Sequence, residues 1–268
     1  MSLLPGNSQT LRRFYPALFV FLWSTGFVGA KYGLPYAEPL TFLLLRYSAL
    51  VILLSLLAFA GRAQWPTDRW QWLHLVIAGL LIQALYLGGV FVSISQGLPA
   101  GVVSLLVGLQ PLLTATLAGM MVGERVSSRR WLGLLLGLGG LVMVLSVRLE
   151  AGFGWSGVLP ALTALLAITL GTLYQKRFCP DFDWRAGAAI QFGAAWLVTL
   201  PLALMTENLH VVWTSEFVFS LGWLVLVLSV GAIGLLNHLI RSGSSVNVAS
   251  LFYLLPPSTA MIAWRVFG

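Results

Sequence analysis

The chain has 268 residues, of which 59% are hydrophobic and only 9% charged, where a soluble domain carries roughly 25% charged residues. That composition excludes a soluble globular core and makes lipid the solvent for most of the chain. The net charge of +7 does not imply a nucleic acid partner, because the bases gather in short loops and no basic run with interleaved aromatics occurs.

Hydrocarbon about 30 Å thick needs roughly 20 apolar residues per helical crossing. The apolar runs here are continuous rather than alternating, which excludes a membrane barrel. The first run, after Arg12 and Arg13, is longer than the apolar region of a signal peptide and has only a weak cleavage site at Val28, Gly29 and Ala30, so it reads as an uncleaved span. Spans are predicted near 14–34, 40–60, 72–97, 99–122, 130–147, 156–175, 186–206, 217–240 and 244–267. Turn residues support the breaks: Pro35 and Pro39, Gly61, Pro66 to Asp68, Gly97 to Pro99, Gly152 to Gly157, and Pro180 with Asp181.

Assigning alternate loops to the two sides puts eleven bases on one face (Arg12, Arg13, Arg62, Arg69, Arg125, Arg129, Arg130, Lys176, Arg177, Arg185 and Arg241). Three lie on the other (Lys31, Arg148 and Arg265), and Arg46 sits inside a span. This imbalance predicts a multi-pass protein of the inner (plasma) membrane with a cytoplasmic N-terminus.

The fourth and ninth spans align without a gap. Pro111 meets Pro256, Thr114 and Ala115 meet Thr259 and Ala260, Ala118 meets Ala263, and Gly123 meets Gly268, each 145 positions apart (256 − 111). Five spans lie within that distance, so the copies run through the membrane in opposite directions, a recurrent transporter design. The expected fold is therefore all-α and polytopic, an inverted repeat of two five-helix halves. Residues 1–150 form the first half, and 151–268 form the second with four helices. The tenth helix is expected and absent, so the chain reads as truncated.

Several stretches together resemble the EamA-type transporters of the drug/metabolite transporter superfamily. They are Trp23 to Phe27 with Lys31 to Pro35, Pro39 through Arg46, and Gln110 and Pro111 through Gly123, Glu124 and Arg125. Trp131 to Gly133, Gly139 and Gly140, and Leu254 to Pro257 with Phe267 and Gly268 complete the pattern. The resemblance implies ten helices in two inverted halves with the substrate cavity between them. The chain departs from it by lacking the tenth helix.

Seven residues are candidate substrate contacts: Trp23, Arg46, Gln83, Tyr86, Gln110, His238 and Tyr253. Arg46 is a cation about six residues into a span; it either snorkels to the interface or stands beside the cavity to attract an anionic group. Gln83, Tyr86, Val90 and Ser93 recur at helical spacing, which suits interhelical hydrogen bonding as well as substrate contact. Gln110 precedes Pro111, whose missing N–H frees a carbonyl one turn earlier. His238 could titrate near neutral pH or be a hydrogen-bonded structural histidine. Trp23, Phe27, Tyr253 and Trp264 could form an aromatic wall or an interface belt. Lys31 reads as an interfacial anchor, and Gly133, Gly137 and Gly140 as a close-packing face.

No catalytic or metal-binding residue is expected. The single cysteine, Cys179, cannot form an intramolecular disulfide, the histidines His74, His210 and His238 are isolated, and no cofactor motif occurs. No carboxylate lies inside a span, which favours exchange or export down a gradient over proton antiport. The expected function is secondary transport of a small-molecule substrate, in the lipid bilayer, exporting small metabolites such as amino acids by alternating access. A membrane-embedded enzyme and a non-transporting scaffold are the alternatives. The sequence is silent on oligomeric state.

Overall fold

A computed structural model describes residues 7–121, 127–129, 131–133, 135, 136, 138, 139, 143, 154–232, 235, 239 and 251–267. The helices are α1 (Asn7–Gly33), α2 (Pro39–Ala60), α3 (Arg69–Ser95), α4 (Ala100–Val107 and Gln110–Met121), α5 (Trp155–Phe178), α6 (Trp184–Thr206), α7 (Ser215–Ala232) and α8 (Leu255–Phe267). Among the described residues seven stretches, from Phe14–Tyr36 to Ser215–Ala232, are long and apolar enough to cross a membrane. There is no strand among the described residues, only an isolated bridge between Ala37 and Val211. The protein is thus an all-α polytopic membrane protein. Of the predicted span 130–147 only scattered positions are described, and the start of 244–267 lies outside the described residues.

Local chemistry sets the helix ends. Pro39 opens α2 at a position whose N–H would have no helical partner, after Glu38 in extended geometry, and Gly61 closes it. The Asp183 carboxylate caps α6 by accepting from the Arg185 N–H, and the Thr214 hydroxyl caps α7 by accepting from the Phe217 N–H. Earlier in the chain, Gly108 and Leu109 interrupt α4 just before Pro111, where the proline removes a helical donor. Two stretches wind more widely, as π-helix: Leu80–Leu87 in α3 and Trp223–Ala232 in α7.

Helix faces are apolar on both sides, as lipid requires. On α2, Phe42, Leu43, Leu50 and Leu54 are buried while Ile52, Leu56 and Phe59 are exposed. At Gly133, no described residue comes within 4 Å of an added Cβ, so the close-packing role expected of it has no partner among the described residues. Gly137 and Gly140 lie outside those residues.

Helix limits repeat along the chain. Gly33 and Phe178 end α1 and α5, and Pro39 and Trp184 begin α2 and α6, each pair 145 positions apart (184 − 39). The same step carries the π stretch of α3 onto 225–232, inside that of α7. Neighbour relations follow the same correspondence: α3 packs on α5 and α6 as α7 packs on α1 and α2, α4 packs on α5 as α8 packs on α1, and α2 lies along α6.

Candidate functional site

A cavity of about 280 Å³ lies among α1, α2, α3, α5, α6 and α7. It reaches from Gly26, Phe27, Phe91 and Leu228 in mid-span to Cys179, Pro180 and Phe182 in the α5–α6 loop. Four sequence candidates line it: Trp23 on α1, Arg46 on α2, and Gln83 and Tyr86 on the π stretch of α3.

Arg46 is 1% exposed, so it does not snorkel to the interface. Its Nη2 donates to the Ser229 hydroxyl at 2.9 Å, Ser229 donates onward to the Leu224 carbonyl at 2.8 Å, and Arg46 Nε has no partner. A buried cation satisfied only in part by one neutral hydroxyl is costly. Helix α2 holds it in place through Tyr47, whose hydroxyl donates to the Gln83 carbonyl within the π stretch, and through Ser48, which accepts from Trp196 Nε1 of α6 at 2.9 Å.

The polar stripe on α3 divides by function. Gln83, Tyr86 and Val90 face the cavity, whereas Ser93 donates to the Gly157 carbonyl at 2.6 Å and joins α3 to α5. The glycine at 79 lets α6 come close: a Cβ there would lie 2.5 Å from the Gln191 Cα.

The other candidates lie elsewhere. Gln110 is buried off the cavity lining, and its Nε2 donates to Thr172 Oγ1 at 3.2 Å, a residue that does line it. Tyr253 is half-buried, off the lining, with its hydroxyl unpartnered. His238 lies outside the described residues. Of the four aromatics, Trp23 and Phe27 line the cavity, while Trp264 is 66% exposed. Lys31 Nζ sits 4.2 Å from the Phe267 ring centroid.

Sequence reasoning passed over Gln191, Gln175 and Thr172. Gln191 Nε2 donates to Gln175 Oε1 at 2.9 Å, so α5 and α6 meet through an amide pair on the cavity wall. The repeat step would have found one of them, because Gln191 is the counterpart of Arg46 (191 − 46 = 145).

Among the described residues the opposite side is closed. At Phe91, the ring of Phe42 meets Phe91 edge-on and Phe217 at a tilt, with centroids 5.2 and 5.0 Å apart, all three buried. Further out, the Glu207 carboxylate accepts from the Leu40 N–H at 2.8 Å and from the Thr41 N–H and hydroxyl at 2.7 Å each. Next to it, the Asn208 N–H donates to Glu38 at 2.8 Å and the Val212 N–H to the Tyr36 carbonyl at 2.9 Å. These bonds tie the α1–α2 connection to the α6–α7 connection.

On the open side, burial pushes the Cys179 thiol up to about 11, so it stays protonated and inert at neutral pH. Hydrogen bonds from Arg185 hold the Asp183 carboxyl below its ordinary value, with Nη2 donating at 2.7 Å and Nε at 3.0 Å. Among the described residues no group of three or more His, Cys, Asp or Glu could hold a metal ion.

Residues 14–146 match the model of the EamA-like transporter family. The chain is 29% identical to an uncharacterized transporter, YvbV, of Bacillus subtilis, over 90% of this chain and 78% of that one. It is 27% identical to the uncharacterized inner membrane transporter YedA of Escherichia coli, over 94% and 81%. A probable amino-acid metabolite efflux pump of Salmonella typhimurium is 25% identical, over 91% and 82%.

Proposed function

We propose, for a chain that belongs to the EamA-type transporters of the drug/metabolite transporter superfamily, that it exports small carboxylate-bearing metabolites by alternating access. One observation carries this reading: among the described residues, a cavity lined by both halves of the chain reaches toward one side, while the Phe42, Phe91 and Phe217 rings and the Glu207 carboxylate close the other.

The repeated helix limits and matching neighbour relations support two inverted halves, residues 1–150 and 151–268, able to rock about a shared site. The bases gathered at the helix ends and turns between α2 and α3 and between α5 and α6, Arg62, Arg69, Lys176, Arg177 and Arg185, support a cytoplasmic position for the open mouth, the loading side of an exporter. Arg46, Trp23, Gln83 and Tyr86 contact the substrate, joined by Gln191, while Gln110 positions Thr172. The similarity to a probable amino-acid metabolite efflux pump favours substrates of that size.

The test is counterflow of labelled amino acids and amino-acid-derived metabolites in proteoliposomes holding the purified chain. Exchange that survives a proton ionophore is expected. Absence of any saturable exchange across the whole series would overturn transport, and full loss with the ionophore would overturn gradient-driven export.

A further inference from the structure

We propose that the cavity selects small organic anions, an apolar body bearing one carboxylate and no ammonium, with the carboxylate seated on Arg46. This narrows the substrate class and rests on the transporter reading of the same cavity.

Among the described residues the lining is charged in one sense only. Arg46 contributes a guanidinium whose Nε lacks any acceptor and whose Nη2 donates to the neutral Ser229 hydroxyl. Lys176 places a second base near the mouth, and among the described residues the lining holds no Asp or Glu. Asp181 and Asp183, in the α5–α6 loop, line with Trp65 and Gln71 a second depression that adjoins the cavity mouth at Cys179, Pro180 and Phe182, outside the mid-span part where Arg46 stands. A carboxylate fits a guanidinium through two parallel N–H donors, which here would satisfy the unpartnered Nε. The ammonium of a zwitterion would find amide oxygens and ring faces but no countercharge among the described lining residues, and it would share a small cavity with Arg46. Trp23, Phe27, Tyr86 and Phe91 offer the apolar body its walls.

The repeat explains why a single charge suffices at mid-span and how an anion could be met on both sides. Arg46 has Gln191 as its counterpart, so only one half supplies the guanidinium. Lys176 has Lys31 as its counterpart (176 − 31 = 145). Lys176 lines the open mouth, and Lys31, beside Phe267 in the sealed half, takes that place when the cavity opens the other way.

The experiment uses three probes that share a phenylethyl body: 3-phenylpropionate (anion), phenylalanine (zwitterion) and phenethylamine (cation). Each is titrated against the thermal stability of the purified full chain. A saturable rise in Tm with 3-phenylpropionate, at concentrations about tenfold or more below any effect of the other two, is expected. Arg46→Met should abolish that rise, and Arg46→Lys should keep a weakened one. An equal or larger effect of phenylalanine or phenethylamine, no effect of 3-phenylpropionate, or a rise that survives in Arg46→Met would overturn the proposal. The probe comparison is made on the native chain, so it decides even where Arg46→Met fails to fold. Binding of 3-phenylpropionate without its counterflow in proteoliposomes would sink transport while leaving the charge selectivity standing.

Discussion

Glu207, just past the end of α6, caps a helix 166 positions away: its carboxylate accepts both the N–H and the hydroxyl of Thr41 at 2.7 Å, at the first turn of α2. An acceptor at a helix N-terminus satisfies donors that the helix itself leaves open, and its negative charge meets the positive end of the helix dipole.

Glu207→Ala should therefore lower stability by about 1–3 kcal/mol, the usual cost of losing charge-assisted hydrogen bonds at partly buried donors. It should also loosen the sealed side. A cysteine introduced at Phe217 should become more reactive toward an impermeant thiol reagent from that side in Glu207→Ala than in the parent. Unchanged Tm and unchanged labelling would show that the clamp does not hold the seal.

Gly79→Ala should cost about 1–3 kcal/mol, because the new methyl would sit 2.5 Å from the Gln191 Cα and 2.7 Å from its carbonyl oxygen, backbone atoms that cannot step aside. Gly88→Ala, nine residues further on with nothing within 4 Å of the added carbon, should be tolerated or gain up to about 1 kcal/mol. Thermal melts in one detergent compare the two directly, and equal losses would mean that α3 does not pack on α6 as described.

Cys179 lines the cavity and is 8% exposed. With its thiol raised to about 11 by burial, the reactive thiolate is scarce at neutral pH. Maleimide labelling should be slow at pH 7 and accelerate about tenfold per pH unit until roughly pH 11, levelling above it. A rate that levels near the ordinary thiol range would place Cys179 in water.

Asp183 is held below the ordinary carboxyl range by the Arg185 guanidinium and N–H, so the folded chain favours its charged form. Its contribution to stability is complete above the unfolded-state value of about 4 and is lost as pH falls below that, through the folded value. Native protein should lose Tm between pH 5 and pH 3 by more than Asp183→Asn does. Parallel curves would show that the cap contributes nothing.

Some of this was readable from the residues alone. Arg46 stands out because a cation in an apolar run must be accounted for, and Gln83 and Tyr86 follow from helical spacing. Tyr253 and Trp264 are the instructive cases: as aromatics they resemble Trp23, yet they lie off the cavity. In a lipid-exposed helix every face is apolar, so periodicity does not say which side meets the protein interior. Gln191 sits in an alanine-rich run with nothing around it to mark its role, and only the 145-residue step points to it. The π stretches carry no side-chain signature at all, since they differ from their flanks in backbone winding rather than composition.

A wide turn holds slack in a helix, and such turns recur where a protein acts on a ligand. Leu80–Leu87 places one under Gln83 and Tyr86, and Trp223–Ala232 places another under Ser229, the partner of Arg46. For the proposed rocking of two halves, these are the points at which the cavity wall could change the side chains it presents without a helix being broken.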